Sequence, residues 1–317
     1  MTTIIRRRKL GMSSAKGIAQ FSKTGIGWVR SDKPLSDDDL YIRWGCTANI
    51  PCKNVLNTAA AIHQVNDKAG FRMVLDEHEL CPKTWTDVGG LHPREFEWGI
   101  IFRPATHSRG RNIWLCHSRD EVERLSAVHR DYYLSEYIDK VKEYRVCVVQ
   151  GRAVWVAEKT PADVNDLAWN VAKGGRFDNV RWDEWPLKAV KKSIEAFNLS
   201  DLDFGGVDIM VDKDGECYVV EINSAPSLTS PYRQECMAKA FDWIVVNGKK
   251  RMPLAEERGG YSKFIHPAIC ERAKILEPEL NQCDGCVAGH GFDRGLHLDV
   301  NGLAYMVCQK SNYLGEV

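Results

Sequence analysis

The stretch GGVDIMVDKDGECYVVEINSAP, residues 205–226, constrains the fold more than any other part of the chain. Val207, Ile209 and Val211 alternate with Asp208, Met210 and Asp212, and the run CYVVEIN that follows has the β-branched and aromatic content of a strand. Asp214-Gly215 between them suits a two-residue hairpin loop, because both central positions need positive φ and this pair tolerates it. Counting back from that turn pairs Val211 with Tyr218, Ile209 with Val220 and Val207 with Ile222 on one apolar face. The opposite face then sets Asp208 directly across from Glu221, with Asn223 two residues further along. Two carboxylates facing each other across a strand pair repel, so this register needs a cation between them. Mg²⁺ suits such an oxygen-only set, with phosphates and water completing its shell. On these residues alone, an acidic hairpin face turned to solvent is an equal reading.

At 317 residues the chain can bury a large core and has room for two or three structural units. Its 43 basic and 43 acidic residues give no net charge that would argue for nucleic acid or an acidic partner. No apolar run approaches a membrane span and MTTIIRRRKL lacks a secretory apolar region, so a soluble cytoplasmic protein without a membrane partner is expected. An oligomer is left open. The eleven cysteines are scattered and odd in number, which fits reduced thiols better than a disulfide framework. The cluster IIRRRK reads as a solvated flank beside a strand in preference to a nucleic-acid or targeting arm.

Along the chain, GWVR and LYIRWG read as strands around the polar loop SDKPLSDDD, and one helical run is expected from about Val55 through Val74. CPKTW is an extended exit, since Pro82 ends the helical pattern. EWGIIFRP and NIWLC are strands on either side of HSRGRN, and SRDEVERLSAVH is a helix whose Ser118 and Glu121 form a capping box. YYLSEYI, YRVCVVQ and AVWVAEKT follow as strands, then the amphipathic helix PLKAVKKSIEAFNL and the acidic hairpin. The order is mixed α and β throughout.

With these pieces in sequence, roughly residues 40–235 resemble the ATP-grasp superfamily, in the carboxylate-amine ligase branch that includes glutathione synthetase-like and ribosomal-protein glutamyl ligases. FGGVDIM and VVEINSAPSL are the strongest part of the resemblance. It implies that Asp208, Glu221 and Asn223 hold the Mg²⁺ (or Mn²⁺) ions that bridge the ATP phosphates. QVNDKAGF nominates Lys68 for a nucleotide phosphate. IIFRPATHSRGRNI departs from the family by placing Arg103 where lysine is usual, ahead of a phosphate-covering loop of His107, Ser108, Arg109 and Gly110. Arginine still contacts phosphate, as a planar fork in place of a point charge. SEYI resembles the hinge whose backbone groups, near Glu136, Tyr137 and Ile138, bind the adenine edge. Arg145 of EYRVCVV is implied to stabilise an acyl phosphate, with Lys159 one strand later and Asn170 of WNVAKGG near the reaction centre.

The fold implied is α/β (α+β): an ATP-grasp fold with a small N-terminal unit (1–65), two ATP-grasp subdomains (66–135 and 136–247) and a cysteine-containing C-terminal extension (248–317). The activity implied is ATP-dependent ligation of a small-molecule or peptide carboxylate to an amine through an acyl phosphate, releasing ADP and phosphate. The same ATP site would serve a kinase acting on a small molecule. The departure at Arg103 also leaves room for a catalytically silent nucleotide-binding protein that contacts a macromolecule. Arg43 of YIRWG is the candidate anchor for a substrate carboxylate, a buried structural arginine being an equal reading. In the extension, CDGC has metal-knuckle spacing. Cys283 and Cys286 with ligands from Cys270, Cys308, His290 and His297 would hold a structural Zn²⁺, the competing reading being buried reduced thiols.

Overall fold

The computed structural model describes residues 2–6, 11–30, 39–49, 53–106, 111–169, 171–181, 184–249, 294–298, 304–308 and 314–316. The N-terminal strands β1 (Thr2–Arg6), β2 (Gly27–Arg30), β3 (Leu40–Trp44) and β4 (Val55–Leu56) form a parallel sheet in the order β2-β1-β3-β4. For Ile4, Ile5 and Arg6 the expectation of a solvated flank is corrected here, while residues 7–9 of that cluster lie outside the described residues. TTIIR is itself a strand, buried along its whole length between two parallel neighbours, and the Arg6 guanidinium lies 5.2 Å from the Trp28 ring. Helix α1 (Met12–Phe21) connects β1 to β2 and packs on the later helix α6 (Pro231–Asn247).

The single helical run expected from Val55 is two helices, α2 (Ala59–Asn66) and α3 (Lys68–Glu77), after a short strand. Asp67 divides them: its backbone closes α2 on the His63 carbonyl, and its side chain accepts the Gly70 N–H at 3.0 Å to cap α3. Lys68 therefore opens a helix instead of riding on the surface of one.

A second, antiparallel sheet is ordered β5-β8-β6-β7, from β5 (Thr84–Trp85), β6 (Ile100–Pro104), β7 (Trp114–Cys116) and β8 (Tyr132–Glu136). Helix α4 (Arg119–Val128) closes its core of Leu91, Ile100, Phe102, Cys116, Val122 and Leu134, and Ser118 accepts the Glu121 N–H as expected.

The third sheet is antiparallel throughout, in the order β11-β10-β9-β12-β13, from β9 (Lys140–Val149), β10 (Arg152–Thr160), β11 (Arg176–Val180), β12 (Phe204–Asp212) and β13 (Cys217–Asn223). Val146, Val148, Val207, Ile209, Val219 and Ile222 on one face pack against α2, α3 and α5 (Leu187–Asn198). On the other face Cys147, Val149, Trp155, Ala157 and Phe204 share a core with Ile4, Ala15, Ile18, Phe241 and Ile244, from β1, α1 and α6. That cover does not extend over the same face at Arg145, Lys159, Asp208 and Glu221, where the sheet opens on a cavity.

The hairpin of β12 and β13 departs from the expected register in two places that cancel. Val211 pairs with Cys217, so the connection is one residue longer than a two-residue turn; only Gly215 has positive φ, and the Asp212 carboxylate accepts the N–H groups of Asp214 and Glu216. A β-bulge then shifts the register back between Ile209 and Asp208. Asp208 does lie opposite Glu221, but Cys217 and Val219 join the core where Tyr218 and Val220 were expected. Toward the C-terminus, Arg294–Leu298, Ala304–Cys308 and Leu314–Glu316 form a separate antiparallel sheet.

Asn57 joins the N-terminal unit to this sheet. At φ 60 its side chain accepts the N–H groups of Asp203 (2.7 Å) and Phe204 (3.1 Å) and donates to the Phe204 carbonyl (2.9 Å). Asn57→Gly keeps that φ without strain and removes only the side-chain bonds. It is expected to lower stability by about 2 to 3 kcal/mol, since buried backbone groups lose their partners, and urea denaturation would read the loss.

Candidate functional site

The site is a cavity of about 1230 Å³ between the second and third sheets. Strand periodicity puts Glu143, Arg145 and Cys147 of β9 on one face, and the sheet order brings Lys159 of β10 and Asp208 of β12 to either side of them. Asp208 is 3% exposed. Arg145 holds it with a two-pronged contact, Nε to Oδ1 at 2.6 Å and Nη2 to Oδ2 at 2.8 Å, while Lys159 Nζ donates to Oδ2 at 2.8 Å. Lys159 also bonds the buried carboxylate of Glu143, which accepts from Lys140 at 2.6 Å. Across the strand pair Glu221 bonds Lys68 and accepts the Asn223 side-chain amide at 3.1 Å.

Gly206 makes room for this arrangement. A Cβ there would stand 3.0 Å from the Pro226 side chain and 3.3 Å from the stem of Arg145. The guanidinium of Arg145 lies 4.8 Å from the Phe177 ring, and Lys140 lies at the same distance from Trp169.

These contacts set the charge states. Burial pushes the Asp208 carboxyl up, but Arg145 and Lys159 outweigh it and leave the group below its ordinary pKa. Burial acts on Glu221 in the same sense, and Lys68, Lys159 and Arg103 hold it well below the usual carboxylate range. Both groups are therefore ionised at neutral pH. Their contribution to stability is full above the unfolded carboxylate values of about 4, and it is lost only as pH falls through the lower folded values. Burial lowers the Lys140 ammonium against the opposing pull of Glu143, whereas for Lys159 the carboxylates of Asp208 and Glu143 overcome burial and raise it.

The structure brings together Lys68, Arg103, Glu136, Tyr137, Ile138, Arg145, Lys159, Asp208, Glu221 and Asn223 on the walls of the one cavity. Arg103 Nε is buried and has no hydrogen-bond partner among the described residues. At the hinge, the Glu136 and Tyr137 N–H groups are taken by the Lys83 (2.9 Å) and Gly99 (3.2 Å) carbonyls. Of the two readings of Arg43 the structure fits the buried structural arginine: it is not among the residues lining the cavity, and its guanidinium donates to the Cys46 and Ala48 carbonyls. His107, Ser108, Arg109, Gly110 and Asn170 lie outside the described residues, as do Cys270, Cys283, Cys286 and His290. Cys308 and His297 fall on adjacent C-terminal strands. Among the described residues, no group of three or more His, Cys, Asp or Glu side chains is arranged to hold a metal ion.

Reasoning from sequence missed Glu143, Lys140, Arg72, Trp169 and Phe177, all of which line the cavity. Glu143 carried a signal: it sits two residues before Arg145 on the same strand face.

The fold is that of the ATP-grasp ligases. The D-alanine–D-alanine ligase of Bacillus anthracis complexed with ATP superposes with a TM-score of 0.56 over 82% of this chain and 99% of that one, at 16% identity. The macrocyclase MdnC of Microcystis aeruginosa MRC, bound with precursor peptide MdnA, gives 0.55 over 75% and 98%, at 15% identity. Residues 91–242 match the RimK-like ATP-grasp domain. In sequence, the chain is 25% identical to the coenzyme gamma-F420-2:alpha-L-glutamate ligase of Methanococcus maripaludis over 185 residues, 54% of this chain and 62% of that protein. The chain spans between 52% and 62% of the length of the curated relatives it matches.

Glu143→Gln would leave the buried ammonium groups of Lys140 and Lys159 short of a counter-charge. It is expected to cost about 3 to 5 kcal/mol, the penalty for breaking a buried pair from one side, as read by chemical denaturation.

Proposed function

We propose that the chain is an ATP-dependent carboxylate-amine ligase acting through an acyl phosphate. One observation carries the reading: Asp208 and Glu221 face each other across a strand pair, on the wall of a cavity that also presents Lys68, Arg103, Arg145 and Lys159. The oxygen donors of Asp208, Glu221 and Asn223 match what a hard divalent cation requires. The unpartnered buried Nε of Arg103 suits an anionic ligand such as a phosphate. Mg-ATP, when bound, supplies the phosphoryl group that makes a carboxylate reactive toward an amine.

The chain's own residues do the rest by position and charge. Lys68 and Arg103 neutralise phosphate oxygens. Arg145, with its stem set against Gly206 and its guanidinium over Phe177, faces the reacting carboxylate, and Lys159 shares that role. Backbone and side chains of Glu136, Tyr137 and Ile138 border the base. His107, Ser108, Arg109 and Gly110 are proposed to cover the phosphates and Asn170 to stand near the reaction centre, on the family resemblance alone. The boundaries 1–65, 66–135, 136–247 and 248–317 remain the proposed division. The acceptor and the acid are small molecules or peptides.

ATP-dependent phosphate release with pooled amino acids and short peptides, coupled to mass analysis for a new amide, tests the reading. An amide formed in step with ADP is expected. A stable phosphoester product, or no turnover with any amine, would count against it. The pair Asp208→Asn with Glu221→Gln is expected to abolish the metal-dependent part of nucleotide binding, as measured calorimetrically with and without Mg²⁺. Arg103→Ala is expected to weaken nucleotide binding by about 1.5 to 3 kcal/mol, the range for a hydrogen bond to a charged group. An unchanged affinity with a lowered melting temperature would make Arg103 structural.

A further inference from the structure

We infer that Arg72 is a positioning residue for Glu221: it holds the β-bulge that turns this carboxylate into the cavity. The inference rests on the metal-binding role proposed for Glu221. Register shows why the bulge matters. From Val211 with Cys217 to Ile209 with Val219, partner numbers fall in one series, and from Asp208 with Glu221 to Gly206 with Asn223 they fall in another, offset by one residue. Without the offset, Asp208 would face Val220, and Glu221 would pair with Val207, whose side chain is in the core under α2, α3 and α5. One extra residue therefore decides whether Glu221 joins Asp208 or is driven into apolar packing.

β13 is the edge strand of its sheet, so beside the bulge the ladder groups turned away from β12 need other partners. Here they come from α3 and the segment after it. The Val219 N–H donates to the Leu80 carbonyl at 2.8 Å. The Val219 and Val220 carbonyls accept from one nitrogen, Nη1 of Arg72, at 3.0 and 3.1 Å. Arg72 is 5% exposed, with its guanidinium 6.0 Å from the Tyr133 ring, so its direction is set by packing. Lys68, one turn earlier on α3, bonds the Glu221 carboxylate. The helix thus grips β13 twice, once by its backbone and once by its acid.

Two binding measurements test this: Mn²⁺ affinity of the ADP-saturated protein by electron paramagnetic resonance, and ADP affinity in chelator by calorimetry. For Arg72→Met, Mn²⁺ affinity is expected to fall about 10- to 100-fold, as when a partner of a metal ligand is lost, while metal-free ADP affinity stays at the wild-type value. Arg72→Lys, which keeps a donor, is expected to recover part of the loss. Arg72→Lys therefore decides the matter if Arg72→Met does not fold, through a smaller but measurable loss of Mn²⁺ affinity. Wild-type Mn²⁺ affinity in Arg72→Met, or in Arg72→Lys where Arg72→Met does not fold, overturns the inference. So does a parallel fall in metal-free ADP affinity, which would make Arg72 a direct nucleotide contact. A wild-type chain that binds no Mn²⁺ with ADP overturns the metal role of Glu221 instead.

Discussion

Two carboxylates set face to face on neighbouring strands dominate the electrostatics of this molecule. At a separation of about 5 Å and an effective dielectric near 20, their repulsion is roughly 3 kcal/mol. Net stabilities of about 5 to 15 kcal/mol cannot absorb that together with the desolvation of Asp208. Counter-charge has to be built in, and it arrives from three separate elements: Arg145 on β9, Lys159 on β10 and Lys68 on α3. The strand order β10-β9-β12-β13 is what makes these deliveries possible, because it sets the two basic strands beside the first acid and leaves the second within reach of the helix.

The same arrangement links stability to ligand chemistry. Surface ion pairs contribute little, but Asp208, Lys159 and Glu143 are buried, and breaking one side there strands a charge, whereas the Lys68–Glu221 pair is half-buried. Under the proposed function, a metal ion held by Asp208 and Glu221 would compete with the resident cations for the same carboxylate oxygens. Lys68 released from Glu221 and Arg145 released from Asp208 would then be free to meet phosphate and substrate anions. The site is charged with both signs before a ligand arrives, so groups of either sign are in place to pair with the charges a ligand brings.

Much of this was legible in the chain itself, for identifiable reasons. Period-two alternation in GVDIMVD and a nearby glycine turn revealed the hairpin, and the facing of Asp208 and Glu221 followed. The details inside it did not. The Asp212 side chain organises a longer turn, and the bulge depends on Arg72, over a hundred residues earlier, which no local pattern announces. Asp67 looked like one polar residue in a helical run, yet its cap ends one helix and begins another. Arg43 and Arg103 carry the same charge on similar strands, and only the tertiary structure gives one to loop carbonyls and leaves the other facing the cavity. Helix α6 showed no clear stripe, since Cys236, Met237, Ala238, Ala240, Phe241 and Ile244 are buried around several sides of it.

A crystal structure of the chain with Mg²⁺ and ADP bears most directly on the exchange of cations for metal. The ion is expected between Asp208 and Glu221 with the Asn223 side-chain oxygen on it, and Lys68 is expected to have left Glu221 for a phosphate oxygen. A metal bound elsewhere, with the Lys68–Glu221 and Arg145–Asp208 pairs both intact, would contradict it.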